Sequence, residues 1–210
     1  MTFRIEEKLY IRSENLIDFK KYLNDKRVKP IYHPRKIRSL YFDNLNFSMY
    51  SDSIEGLVPR KKIRVRNYPE EEDRKMYLEI KNSSVEGRFK SRKIIDNKLL
   101  DEYQNIGILD GQYGVCFPNF YVSYKREYSV LDDVRISIDT DISYEDYKTG
   151  LTHKDNKIIV EIKTSIKKDL DDLIKAFPFQ RIRFSKYCFA VDILNQGNLW
   201  KVKFTGILIL

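Results

Sequence analysis

Cysteine is nearly absent. The chain has 210 residues and two cysteines, Cys116 and Cys188, which lie far apart and form no CxxC. That usage argues against a disulfide-stapled scaffold and against a thiolate zinc site. Histidine is as scarce: His33 and His153 show no HExxH or related spacing, so imidazole-based metal or triad chemistry has little support. A secretory leader is missing too, because "MTFRIEEKLY" carries charges where its apolar stretch would sit. The longest terminal apolar run, "GILIL", is far too short to span a bilayer. A cytoplasmic protein with no membrane segment of its own is expected. Internal repeats and low-complexity linkers are lacking, so one domain over residues 1–210 is expected.

The chain does have a hydrophobic content of 42%, a charged content of 33% and a formal net charge of +8. The first two values describe a globular chain with a real core. The third points to a polyanionic partner: nucleic acid, phosphorylated metabolites or anionic lipid. Fifteen Tyr and twelve Phe favour strands. Period-two or aliphatic–aromatic patterning runs through "FRIEEKLYI", "IRSLYFD", "KKIRVRNY", "KMYLEIK", "RFKSRKII", "FYVSYKREY", "VRISIDT" and "IIVEIKT", with a further strand expected in "RFSKYCFAV". Helices are expected at "SENLIDFKKYLND" with Ser13 as N-cap, at "DNKLLDEYQN" and at "DLDDLIKAF"; residues 43–53 form a short helix or a turn-rich connection. Eight strands and few helices predict a mainly β (α+β) fold, an antiparallel sheet closed into an eight-stranded barrel.

The alternation gathers charge on one face. In "RKKIRVRNY", Arg60, Lys62, Arg64 and Arg66 share a side, opposite Ile63 and Val65. The same reading aligns Arg4, Glu6 and Lys8; Glu79 and Lys81; Arg88, Lys90 and Arg92; Tyr124 and Arg126; Arg135, Ser137 and Asp139; and Glu161 and Lys163. One such face is commonly the solvated side of a sheet. A solvated face mixes both signs, however, whereas this one is cationic in strand after strand and rich in Arg, whose planar fork matches phosphate oxygens. Closing the sheet with that face inward would give a channel for a chain of phosphates, with the few carboxylates as hard ligands for Mg²⁺ or Mn²⁺. Asp139 suits either a metal ligand or a partner of Arg135. Tyr41, Phe42 and Asp43 are expected to serve packing and a turn.

In order along the chain, "RIEEKLYI", "IRSLYFDN", "EGLVPRKKIRVRNY", "YLEIKN", "GRFKSRK", "VSYKREY" with "VRISIDTDI", "VEIK" and "RFSKYC" carry a family likeness. The chain resembles the triphosphate tunnel metalloenzymes, and within them the VTC-type polyphosphate polymerase domain. The resemblance implies a tunnel barrel that makes linear polyphosphate from ATP with a divalent metal, usually Mn²⁺. It implies catalytic roles for Lys8, Arg64, Arg66, Lys81, Lys90, Arg126 and Lys186, and metal binding by Glu161 with Glu6. It implies substrate contacts by Tyr124, Arg183 and Ser185; the aligned strand faces add Arg4, Lys62, Arg92, Arg135 and Lys163 as expected substrate contacts, with Lys62 and Arg60 at the tunnel mouth. The wider superfamily opens with ExExK, whereas here Arg4 takes the place of the first Glu, which fits the polymerase branch better than a two-metal hydrolase. ATP and inorganic polyphosphate are the expected partners, and a membrane partner is compatible with them. The rivals are a tripolyphosphatase or nucleoside triphosphatase in the same tunnel, and a non-catalytic polyanion-binding module. Nucleic acid is disfavoured, because the aromatics alternate with aliphatics or sit at strand ends instead of interleaving with the basic residues.

Overall fold

The alternating segments become strands of one antiparallel sheet in the computed structural model, which describes residues 4–165, 172 and 175–194. The strands are β1 (Arg4–Ile11), β2 (Lys29–Asp43), β3 (Arg60–Asn67), β4 (Met76–Ser84), β5 (Gly87–Ile95), β6 (Ile108–Asp110), β7 (Gly114–Leu131), β8 (Val134–Asp146), β9 (Thr152–Asp155) and β10 (Ile158–Ser165). The helices are α1 (Leu16–Asp25), α2 (Ser48–Glu55), α3 (Asn97–Ile106) and α4 (Lys186–Leu194). Hydrogen-bonded neighbours follow the order β1-β10-β8-β7-β2-β3-β4-β5, with β6 on β7 and β9 on β8. The eight expected strands are all present. The two additional ones span three and four residues, too short for a period-two pattern to show.

The expected closed barrel is not formed. Among the described residues no ladder joins β1 to β5, so the sheet is curled but open at that seam. The outer edge of β1 is already occupied: Tyr10 N–H donates to the Gln180 carbonyl (3.0 Å) and Ile182 N–H to the Lys8 carbonyl (2.9 Å). A backbone edge used by this segment cannot also pair with β5.

Two further expectations are corrected. A 3-10 turn at Ser13–Asn15 precedes α1, and Ser13 is not its cap. The segment expected as a strand in "RFSKYCFAV" is helical from Lys186. Tyr187, Ala190 and Val191 recur at i, i+3 and i+4 and are buried, and Ser185 Oγ accepts from Cys188 N–H (3.3 Å) as the N-cap. The helix expected at "DLDDLIKAF" falls mostly outside the described residues.

The reverse of the charged face makes the core. Leu9, Ile11, Val134, Ile136, Ile138, Ile158, Val160 and Ile162 bury against Phe19 and Leu23 of α1. Each fully buried aliphatic contributes about 1.5–3 kcal/mol, enough for a few of them to hold like charges together on the opposite face. A second core surrounds α4 and the inner ends of β2, β3 and β7. No helix among the described residues is long and apolar enough to cross a membrane.

Candidate functional site

The curl wraps the cationic face around a cavity of about 830 Å³. Ten cations from seven elements line it: Lys8, Lys62, Arg64, Arg66, Lys81, Arg88, Lys90, Arg126, Lys163 and Lys186. Only four carboxylates share the lining, Glu6, Glu79, Glu86 and Glu161.

Glu79 is the hub of one wall. It is 2% exposed and accepts from Arg64 Nε (2.9 Å) and Nη2 (2.7 Å) and from Lys90 Nζ (2.5 Å), with Arg92 Nε at 3.5 Å and Arg66 Nη1 at 3.8 Å. Burial opposes ionisation of its carboxyl, but Arg64, Arg66 and Lys90 outweigh burial and bring it down to about 2. Arg66 is fixed separately, by Ser39 Oγ (3.1 Å) and the Tyr124 hydroxyl (2.9 Å). Arg64 Nη1 also donates to the Tyr41 hydroxyl (2.8 Å). Tyr41 stacks on Phe120 (ring centroids 5.6 Å apart) and packs at a tilt against Tyr187 (5.4 Å), and Tyr41 and Tyr187 line the cavity. Asp43 does serve the turn: it accepts from the Asn44, Met49 and Tyr50 N–H groups and also takes the Tyr187 hydroxyl, tying α2 to α4.

The opposite wall is built on Asp139, which is fully buried. Its carboxylate holds Arg126 in a fork (Nε 2.5 Å, Nη2 2.7 Å) and takes Lys186 Nζ at 2.5 Å. Its partners are thus Arg126 and Lys186, not Arg135. Burial raises the Asp139 carboxyl, but Lys186 and Arg126 more than compensate and hold it below its ordinary value. At the amino end of α4, Lys62 Nζ donates to Ser185 Oγ (2.9 Å) and Lys8 Nζ to the Phe184 carbonyl (2.6 Å). Burial lowers both ammonium groups from their ordinary value. With no carboxylate accepting from Lys62 among the described residues, and with a helix amino terminus beside it, this end is prepared for an anion.

Glu161 meets Lys163 (3.1 Å) and Arg126 (3.6 Å) and lies diagonally across the β1–β10 ladder from Glu6. Burial works against its charge, yet Lys163, Arg126 and Lys8 hold its carboxyl well below the ordinary range. Glu6 and Glu161 both line the cavity, and two neighbouring carboxylates make a place for a cation. Such a pair suits Mg²⁺ or Mn²⁺, which commonly take one or two carboxylates and complete their shell with water and phosphate oxygens. Among the described residues no group of three or more His, Cys, Asp or Glu is clustered for a metal.

Of the residues expected at the site, the cavity brings together Glu6, Lys8, Lys62, Arg64, Arg66, Lys81, Lys90, Tyr124, Arg126, Glu161, Lys163, Ser185 and Lys186. Three do not line it. Arg92 stacks its guanidinium over the Tyr77 ring at 3.5 Å, Arg135 is exposed on β8 beyond the cavity end, and Arg183 hydrogen-bonds the Ser53 and Ile54 carbonyls at the end of α2 (3.4 Å each). The Arg4 side chain lies outside the described residues. Arg60, expected at a mouth, instead hydrogen-bonds the Gly56 and Leu57 carbonyls after α2. The sequence reading missed Tyr41, Glu79, Glu86, Arg88, Phe89, Phe184 and Tyr187 as lining residues. Glu79 and Arg88 carried the right alternation, whereas Tyr187 was hidden by the strand expectation.

The VTC domain family model matches residues 3–114 and 95–195. No curated protein sequence matches the chain. Among solved structures, a conserved hypothetical protein of Pyrococcus furiosus is 17% identical, with TM-score 0.54 over 89% of this chain and 99% of its own. A candidate adenylate cyclase of Bacillus halodurans is 12% identical, with TM-score 0.56 over 88% and 94%. A candidate adenylyl cyclase of Hippeastrum, described as having a dominant triphosphatase activity, is 16% identical, with TM-score 0.51 over 90% and 95%. At these identities the likeness is one of fold.

Proposed function

The chain belongs to the VTC domain family, and from that premise we propose that it is a metal-dependent polyphosphate polymerase, moving the γ-phosphoryl group of ATP onto a growing linear polyphosphate. The observation that carries the reading is the cavity itself: ten cations against four carboxylates, with Arg64, Arg66 and Arg126 each held in place by a second residue.

Phosphoryl transfer asks the protein chiefly for positioning and charge neutralisation. An anionic oxygen of the terminal chain phosphate attacks the γ-phosphorus. The bond from that phosphorus to the β-bridging oxygen breaks, and ADP leaves with the electron pair. No proton has to move, which suits a site built without His or Cys. Arg64, Arg66, Lys81 and Lys90 clamp the triphosphate, and Arg126 with Lys186 faces it from the other wall. Lys8, Lys62 and Ser185 orient the acceptor. Glu6 and Glu161 would hold the divalent ion, which when bound neutralises charge on the phosphate oxygens.

The rival is a triphosphatase, the activity named for the Hippeastrum protein. Hydrolysis needs a group to activate water. Here Glu79 and Asp139 are committed to guanidinium forks, so among the described residues neither of these two buried carboxylates is available as that base. Incubating the purified protein with ATP and Mn²⁺ and resolving the products on a gel tests this. A ladder of long chains is expected. Orthophosphate alone would overturn the polymerase in favour of the hydrolase, and polyphosphate binding without turnover would leave a binding module.

A further inference from the structure

We propose that a collar of tyrosine and arginine at one end of the cavity is a nucleobase site, which takes the base of the nucleoside triphosphate while the cavity holds its phosphates. This rests on the phosphate-handling reading above and adds how the donor nucleotide is recognised and which way round it lies.

The cavity has two unlike ends. Antiparallel pairing gathers the starts of β2 and β4 and the ends of β3, β5 and β7 at one of them. At the other, the amino end of α4 meets Lys8 and Lys62. The first end is aromatic. Tyr77 lies across the ladder from Arg66, and Tyr68 follows Arg66 by two residues. Tyr128 follows Arg126 by two, and Arg35 lies across the ladder from Arg126. The Arg35 guanidinium sits 5.3 Å from the Tyr32 ring centroid and 5.8 Å from those of Tyr68 and Tyr128. Tyr68 meets Tyr77 edge-to-face at 6.1 Å, and Arg92 covers the Tyr77 ring at 3.5 Å. These contacts join six side chains into one band. Burial raises the Tyr128 hydroxyl, and the cations that oppose the rise are Arg126 of the cavity and Arg35 of the band, so band and lining adjoin.

Three observations favour a base here over further phosphate. First, Tyr77 backs the Arg92 guanidinium, whose side chain is still 43% exposed. Aromatic rings and guanidinium planes are the surfaces on which unpaired bases stack. Second, the band has a carboxylate beside it. Glu71 lies 3.3 Å from Arg35, held by a turn in which its N–H donates to the Tyr68 carbonyl (3.0 Å), and Glu70 and Glu72 flank it. That charge opposes a polyphosphate and tolerates a neutral base. Third, the reach is right. Residues 64 to 68 span about 13 Å at the rise of a strand, a length that an extended nucleoside triphosphate covers. With its base in the collar, its γ-phosphate faces the α4 end, where Lys8, Lys62 and Ser185 orient the acceptor.

The test compares ATP with ribose 5-triphosphate, which carries the same phosphates and no base. Calorimetry in metal-free buffer reads both ligands on wild type, Arg92→Ala and Tyr77→Leu. Wild type is expected to bind ATP about tenfold more tightly, and both variants are expected to bind the two ligands alike. Tyr77→Leu leaves every charge in place and so isolates stacking. Arg92 is exposed, so its variant decides the matter even where Tyr77→Leu does not fold. Equal affinities in wild type would overturn the base site and leave the phosphate-handling reading standing. A preference for ATP that survives in Arg92→Ala and Tyr77→Leu would put the base elsewhere, which also overturns it. If neither ligand binds wild type, the phosphate-handling reading fails, and the base site fails with it.

Discussion

Replacing Glu79 by Gln keeps the side chain's shape and removes the charge at the centre of one wall. Its carboxyl stands at about 2 in place of the ordinary 4.5, a difference that favours the ionised folded form by about 3 kcal/mol. The Lys90 and Arg92 side chains that share it are nearly half exposed, and solvent screens part of their attraction, so a loss of about 2 kcal/mol is expected at neutral pH. For a chain of this length that is about 4–8 °C in melting temperature. A depressed carboxyl stabilises the fold above about 4.5, and its contribution disappears as the pH falls through about 2. The gap between wild type and Glu79→Gln should therefore close across that window. Anion binding should move the other way. Without the internal carboxylate, Arg64 and Lys90 are free for phosphate, and tripolyphosphate in metal-free buffer should bind about tenfold more tightly, a gain of about 1.4 kcal/mol. Thermal unfolding across pH and calorimetric titration of tripolyphosphate check the two halves. A variant as stable as wild type, or one that binds tripolyphosphate more weakly, would refute the role given to Glu79.

Arg64→Lys keeps the charge but loses the fork, and turnover with ATP should fall by about 100-fold, read from product ladders. Glu161→Gln should raise the Mn²⁺ concentration needed for half-maximal activity by about tenfold or more, measured by metal titration at saturating ATP. Ser185→Ala removes both the cap of α4 and the partner of Lys62; about 1 kcal/mol of stability should go, seen as a 2–4 °C drop in melting temperature.

Alternation made the faces readable. Arg64 and Arg66, or Glu161 and Lys163, reach the cavity because side chains two apart on a strand must share a side. It could not say how far along a strand the cavity extends. That is why Arg135 and Arg92, on the right strands with the right parity, sit beyond it. Arg183 lies outside the strands altogether, in the segment before α4. Residues 184–191 misled for another reason: Phe184, Tyr187 and Phe189 read as an aromatic strand, and the i, i+3, i+4 spacing with its Ser185 cap emerges only when the segment is read at helical period. Closure was not legible at all. Whether β1 meets β5 depends on which backbone takes the β1 edge, and Gln180–Ile182 carry no pattern that announces it.

Glu79 and Asp139 give the cavity its own counterions. On the proposed function, an incoming phosphate would not meet bare guanidinium at Arg64 or Arg126 but would displace a carboxylate already seated there, gaining only the difference between two ion pairs. Those carboxylates stay in the wall, ready to re-form their pairs as a phosphate departs. A polymer held this way would shift by one unit at small cost wherever Glu79 or Asp139 takes over the cation that it gives up. Strength of grip and ease of movement, which oppose each other in a purely cationic groove, are reconciled by two buried acids.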